Sequence, residues 1–60
     1  MQEDQVLIEE EDGGYAILLI QEGSRHTMDH QNSLNDAKNY AIYLANRMKL
    51  SAYYQNQKLN

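Results

Sequence analysis

Asp12-Gly13-Gly14 lies between two apolar stretches, and this short segment limits the possible folds more than any other feature of the chain. Gln5 to Glu11 alternates Val6 and Ile8 with Gln5, Leu7 and Glu9, as a strand does, and Tyr15 to Gln21 is apolar enough for a central strand. A glycine-rich link of this kind between two strands predicts a tight hairpin over residues 5–21, with the positive φ angles of a type I′ turn. A two-residue turn at Asp12-Gly13 or at Gly13-Gly14 gives paired residue numbers an odd sum. Either register puts Val6, Ile8, Tyr15, Ile17 and Leu19 on one face. Leu7, Ala16, Leu18 and Ile20 go to the other, with Glu9 and Glu11 towards the turn. Both faces are therefore apolar away from the turn. One helix covers one face only, and leaving Leu7, Leu18 and Ile20 in water costs roughly 1.5–3 kcal/mol each relative to burial. That is large against the few kcal/mol a core this small supplies. Leu7, Ala16, Leu18 and Ile20 are thus the expected interface of a homodimer, unless the Tyr53-Tyr54 segment folds back as cover.

The rest of the chain supplies one helix and a further strand. Glu22-Gly23-Ser24 reads as a second turn and Arg25 to His30 as a third, weaker strand. Ser33 is a good N-cap, with Asp36 three residues on in a pair like a capping box. Leu34, Ala37, Ala41, Leu44, Ala45 and Met48 then recur at helical spacing, which predicts a helix over 33–49 with one apolar face. Arg47 and Lys49 suit its C-terminal end. Residues 51–57 read as a fourth strand or as more helix, and Lys58-Leu59-Asn60 is expected to fray. The predicted fold is α+β, one domain over 1–60: a three-stranded antiparallel sheet, four-stranded if 51–57 joins it, with one helix packed on a face.

Sixty residues bury only about 60% of the surface the unfolded chain exposes, so support from a second subunit or a partner is expected. There is no cysteine to form a disulfide, which suits a reducing compartment. The longest apolar run, Tyr15 to Ile20, is too short to span a bilayer, and Met1-Gln2-Glu3-Asp4 is acidic where a signal peptide is basic. A cytoplasmic protein away from the membrane is expected.

Charge is strongly segregated. Glu3, Asp4, Glu9, Glu10, Glu11, Asp12 and Glu22 give residues 1–24 a charge of −7, with no Lys or Arg among them. Arg25, Lys38, Arg47, Lys49 and Lys58 against Asp29 and Asp36 give the remainder +3. Such asymmetry marks an interaction face, and an acidic one opposes direct nucleic-acid binding, which needs phosphates neutralised. Alternate carboxylates along a strand lie about 6.7 Å apart; duplex phosphates lie about 3.4 Å apart axially along each strand. Glu9, Glu10, Glu11 and Asp12, with Glu3 and Asp4, are therefore the candidate partner-binding residues: a phosphate-like row for a basic nucleic-acid-binding protein such as a nucleoid-associated protein, polymerase, nuclease or toxin. Small phage proteins that mimic DNA charge are the functional analogy, on charge and size. The plainer alternative is that acids at a hairpin tip aid solubility and protect a sheet edge.

No constellation of residues supports an enzyme, a cofactor or a metal. His26 and His30 share a strand face at i and i+4 but lie about 13 Å apart, too far for one ion. Ser24, His26 and Asp29 lack a nucleophile elbow, and Gly13, Gly14 and Gly23 sit at turns, forming no phosphate loop. Tyr40 and Tyr43 flank the helix stripe as core-edge or interface residues.

Val6-Leu7-Ile8-Glu9-Glu10-Glu11-Asp12-Gly13-Gly14-Tyr15-Ala16-Ile17 resembles the N-terminal hairpin of HicB-type antitoxins, and Ser33-x-x-Asp36-Ala37 resembles the Thr-x-x-Glu-Ala that opens their helix. The resemblance covers residues 5–48. It implies a β-β-β-α module, often closed by a short fourth strand, like a truncated ribonuclease H fold without an active site. It also implies an alternative function, that of a reduced antitoxin neutralising a basic, RNA-cleaving HicA-type toxin. The Pro-Asp-x-x-Gly-Cys stretch of that family is replaced here by Leu19-Ile20-Gln21-Glu22-Gly23-Ser24, and a C-terminal DNA-binding domain is not expected from residues 49–60.

Overall fold

The computed structural model describes residues 4–60. Its elements in chain order are β1 (Gln5–Glu11), β2 (Gly14–Gln21), β3 (Ser24–Gln31), α1 (Leu34–Met48), β4 (Ala52–Tyr54) and β5 (Gln57–Lys58). The class is α+β, as expected, but the sheet has five strands in the order β3-β2-β1-β4-β5. It is mixed rather than antiparallel, because β4 runs parallel to β1. The reason is the helix. A chain that crosses a sheet face through a helix returns in the direction it left, and the side of β1 not taken by β2 is where it docks.

The first hairpin pairs Gln5 with Ile20, Ile8 with Ile17 and Glu11 with Gly14, which is the odd-sum register. Asp12 and Gly13 form its turn, but only Gly13, at φ 75°, is left-handed. The turn is therefore not type I′; glycine at the second central position is the pattern of a type II turn. Consecutive left-handed residues occur instead at Glu22-Gly23 and at Gln55-Asn56, where β4 turns into β5. Gly14 is required for another reason. A Cβ there would lie 2.6 Å from His30 Cε1 and 2.7 Å from the Gln31 carbonyl oxygen, so β3 packs directly on it.

The Ser33 Oγ accepts the Asp36 N–H at 3.1 Å and starts α1. At the other end Lys49 turns left-handed at φ 59°, and the Leu50 N–H donates to the Ala45 carbonyl at 2.8 Å. Ala37, Ala41 and Ala45 are fully buried and meet Val6, Ile8, Ile17, Leu19 and Ala52 in the core. The small side chains let the helix lie close to the sheet. Leu44 packs at the edge of this core, and Met48, last of the predicted stripe, is exposed.

The C-terminal residues do not fray. The Leu59 N–H donates to the Ala52 carbonyl at 2.8 Å, and Leu59 packs against the core. The Asn60 Oδ1 accepts the Ala52 N–H at 2.9 Å, while its Nδ2 donates to Asn46 Oδ1 at 2.9 Å and to the Leu50 carbonyl at 3.2 Å. One amide thus ties β4 to the end of α1.

On the face away from the helix, Ala16, Leu18 and Ile20 are already buried within the single chain, at 0, 5 and 2% exposure, and Leu7 is half-buried. The register sets Arg25 and Thr27 of β3 and Gln5 and Leu7 of β1 beside them. The Arg25–Glu9 ion pair runs diagonally across the same face, and the register places Leu18 between its ends. The premise for a dimer, that these side chains stay wet in one chain, therefore does not hold. Nor does the Tyr53-Tyr54 segment fold over them. It extends the sheet, with Tyr53 beside Leu7 on this face and Tyr54 beside Ile8 on the helix side.

Candidate functional site

The acidic run occupies the tip of the β1–β2 hairpin, and strand alternation divides it. Glu9 pairs with Ala16 and Glu11 with Gly14, so both carboxylates face away from the helix. Glu10 faces the helix side, and Asp12 is the first residue of the turn. All four are exposed. Asp4 lies at the opposite end of β1, about 17 Å from Glu9 by strand rise, where its Oδ1 accepts the Glu22 N–H at 3.0 Å. Asp4 therefore stands apart from the tip cluster. Glu3 lies outside the described residues.

The tip is not uncompensated. Arg25, from the segment counted as basic, forms an ion pair with Glu9, and His30 Nε2 lies 3.9 Å from Glu11. Glu10 Oε1 accepts the Tyr54 hydroxyl at 2.9 Å and the Gln55 Nε2 at 3.1 Å. Tyr54 in turn packs edge-to-face on Tyr15, with centroids 6.4 Å apart, and Lys38 Nζ lies 5.7 Å from its ring centroid. Sequence reasoning missed Tyr54 and the turn residue Gln55 after it because β4 pairs with β1 from the far end of the chain, and nothing local marks that pairing.

The hydrogen bond to Glu10 raises the Tyr54 pKa above its ordinary value of 10.0, helped by desolvation and by the negative charge of Glu10. The folded state thus favours the protonated phenol. That contribution is fully present below about pH 10 and is lost as pH rises through the folded value. Replacing Glu10 with Gln removes the charge and should return the Tyr54 titration towards the ordinary phenol range. Tyrosinate absorbance during an alkaline titration measures this; an unchanged Tyr54 midpoint would mean that Glu10 is not the cause.

Beside the tip lies a groove between β1 and the β4–β5 turn, lined by Gln5, Leu7, Ile8, Glu9, Tyr53, Gln55 and Asn56. It exists because β4 pairs only with Val6 to Ile8, leaving Glu9 to Glu11 without a strand neighbour on that side. Two consecutive left-handed residues, Gln55 at φ 48° and Asn56 at φ 67°, shape its rim without a glycine.

The histidines do not share a face. A bulge leaves Met28 unpaired, so His26 opposes Leu19 on the helix side and His30 opposes Ala16 on the other. Among the described residues, no three His, Cys, Asp or Glu side chains are placed to hold a metal. No helix among the described residues is long and apolar enough to cross a membrane. Tyr43 is exposed and pairs with Arg47, its hydroxyl accepting from Nη1 at 3.1 Å, whereas Tyr40 packs against the core. No protein-family model, curated protein or solved structure matches this chain.

Proposed function

We propose that the protein is a non-enzymatic, acidic binding protein whose hairpin tip occupies the basic, nucleic-acid-binding surface of a partner protein. The observation that carries this reading is the tip itself: Glu9, Glu10, Glu11 and Asp12 are all exposed at one end of the sheet, past the last residue of β1 that pairs with β4. Arg25 takes one oxygen of Glu9, so Glu10, Glu11 and Asp12 carry most of the outward charge. A compact acidic end of this kind steers a basic partner into place and competes with phosphates for the same cations. A cytoplasmic setting suits a chain without cysteine.

The second reading is a reduced HicB-like antitoxin directed at a basic, RNA-cleaving toxin. It is supported by the β-β-β-α order followed by a short strand. The two readings share the acidic contact and differ in the partner.

The test is a variant with Glu9, Glu10 and Glu11 changed to Gln and Asp12 to Asn. The fold should survive, because the Arg25–Glu9 pair and the His30–Glu11 contact that it removes are both exposed, and exposed pairs are worth at most about 1 kcal/mol. A basic protein captured from a bacterial lysate by the wild-type chain should bind the variant more than about tenfold more weakly, roughly 1.4 kcal/mol. Slower association and a flatter salt dependence should account for most of the loss. Wild type should displace that protein from DNA or RNA, and the variant should not. Equal binding and equal competition by both chains would reduce the acidic run to a solubility device.

A further inference from the structure

We infer that the groove beside the tip is a receptor for an arginine side chain of the basic partner. Its floor and wall are the half-buried Leu7 and Tyr53, which face the same side of the sheet from paired positions on β1 and β4. Glu9 stands at its edge with one carboxylate oxygen committed. Oε2 takes the guanidinium of Arg25 from the β3 side, while Oε1 takes no hydrogen bond among the described residues. The chain itself therefore shows that this carboxylate accepts a guanidinium across this face of the sheet. Gln55 has its amide nitrogen engaged by Glu10, which leaves its carbonyl oxygen as an acceptor at the rim. Gln5 and Asn56 add further amides.

An apolar floor, an aromatic wall, a carboxylate and amide oxygens together match arginine better than any other side chain. The aliphatic stem lies on Leu7, and the planar guanidinium stacks on a tyrosine face while bonding a carboxylate. Lysine, a compact and strongly hydrated charge, uses the carboxylate but gains little from the ring plane. Two consecutive non-glycine residues in the left-handed region hold the rim, and such conformations recur at ligand clamps. The inference rests on the basic-partner reading, and it gives the tip a reason to prefer arginine over charge in general.

The probe is N-acetyl-arginine amide, titrated into isotope-labelled protein and followed by amide chemical shifts, with N-acetyl-lysine amide alongside. Saturable shifts should centre on Leu7, Glu9, Tyr53, Gln55 and Asn56, with weaker binding of the lysine compound. Glu9→Gln should weaken arginine binding about tenfold. Tyr53→Leu, which keeps apolar volume but removes the ring, should abolish the preference over lysine. Equal binding of both compounds, shifts confined to Glu10 to Asp12, or no saturable shift would overturn the inference. If arginine fails to bind here while neutralising the acidic run still breaks the partner complex, the groove is excluded and the acidic contact stands. If arginine binds here while the neutral variant, which lacks the Glu9 carboxylate, keeps its partner, both the acidic contact and the groove's part in partner binding fall.

Discussion

Replacing Leu18 with glutamate is expected to unfold the protein, not to change its association state. Leu18 is 5% exposed inside one chain, on the face without a helix. A carboxylate there would be buried beside Ala16 and Ile20 and close to Glu9, a like charge that already holds Arg25. Burying an unpaired charge costs several kcal/mol, and a domain of this size has roughly 3–5 kcal/mol to lose. Circular dichroism should show the loss of the folded signal at ordinary temperature, while the wild type runs at the mass of one chain, 7.0 kDa. A folded variant of half the wild-type mass would instead identify Leu18 as an interface residue.

The neighbouring position tests the opposite face. Ile17 is fully buried and packs in the cluster that holds Ala37, Ala41 and Ala45 against the sheet. Truncation to alanine removes the transfer energy of three carbons and leaves a cavity, together about 2–5 kcal/mol. The three alanines opposite cannot fill that space, because none has a side chain able to rotate into it. Ile17→Ala is therefore expected to populate the unfolded state heavily at room temperature, read from a denaturant titration. A midpoint close to wild type would show that the helix and sheet collapse onto each other more readily than their packing implies. Together the two substitutions would establish that β2 is buried on both sides by one chain.

Much of this architecture is legible in the residues. The parity of the first hairpin follows from any two-residue turn, so the division of Val6, Ile8, Ile17 and Leu19 from Leu7, Leu18 and Ile20 holds although the turn is not type I′. Ser33 and the alanine spacing place the helix because capping and periodicity are local. The features that escape are not local. Ala52 to Tyr54 is too short to show a period, and its partner is at the other end of the chain. The Gln55-Asn56 turn lacks the glycine that announces such turns. The bulge at Met28 shifts His30 to the opposite face from His26 with no mark in the sequence. For the candidate site, the exposure of the acidic run is legible. The pairing of Glu9 with Arg25 and the contacts of Glu10 with Tyr54 and Gln55 are not, since segment charge totals carry no information about which strands lie side by side.

The parallel pairing of β1 with β4 also joins residues far apart in the chain. The hairpin and helix form from near neighbours, but β1 keeps an open edge at Val6 to Ile8 until Ala52 to Tyr54 arrives from the far side of α1. Contacts of such sequence separation close slowly, and whenever this pairing is open an apolar strand is left unpaired on one side. Unpaired strands of this kind recruit other chains, and charged residues flanking them are the usual safeguard. Glu9 to Asp12 directly continue that strand. Carboxylates in that position discourage the protein's own copies from pairing with the edge whenever β4 is not on it.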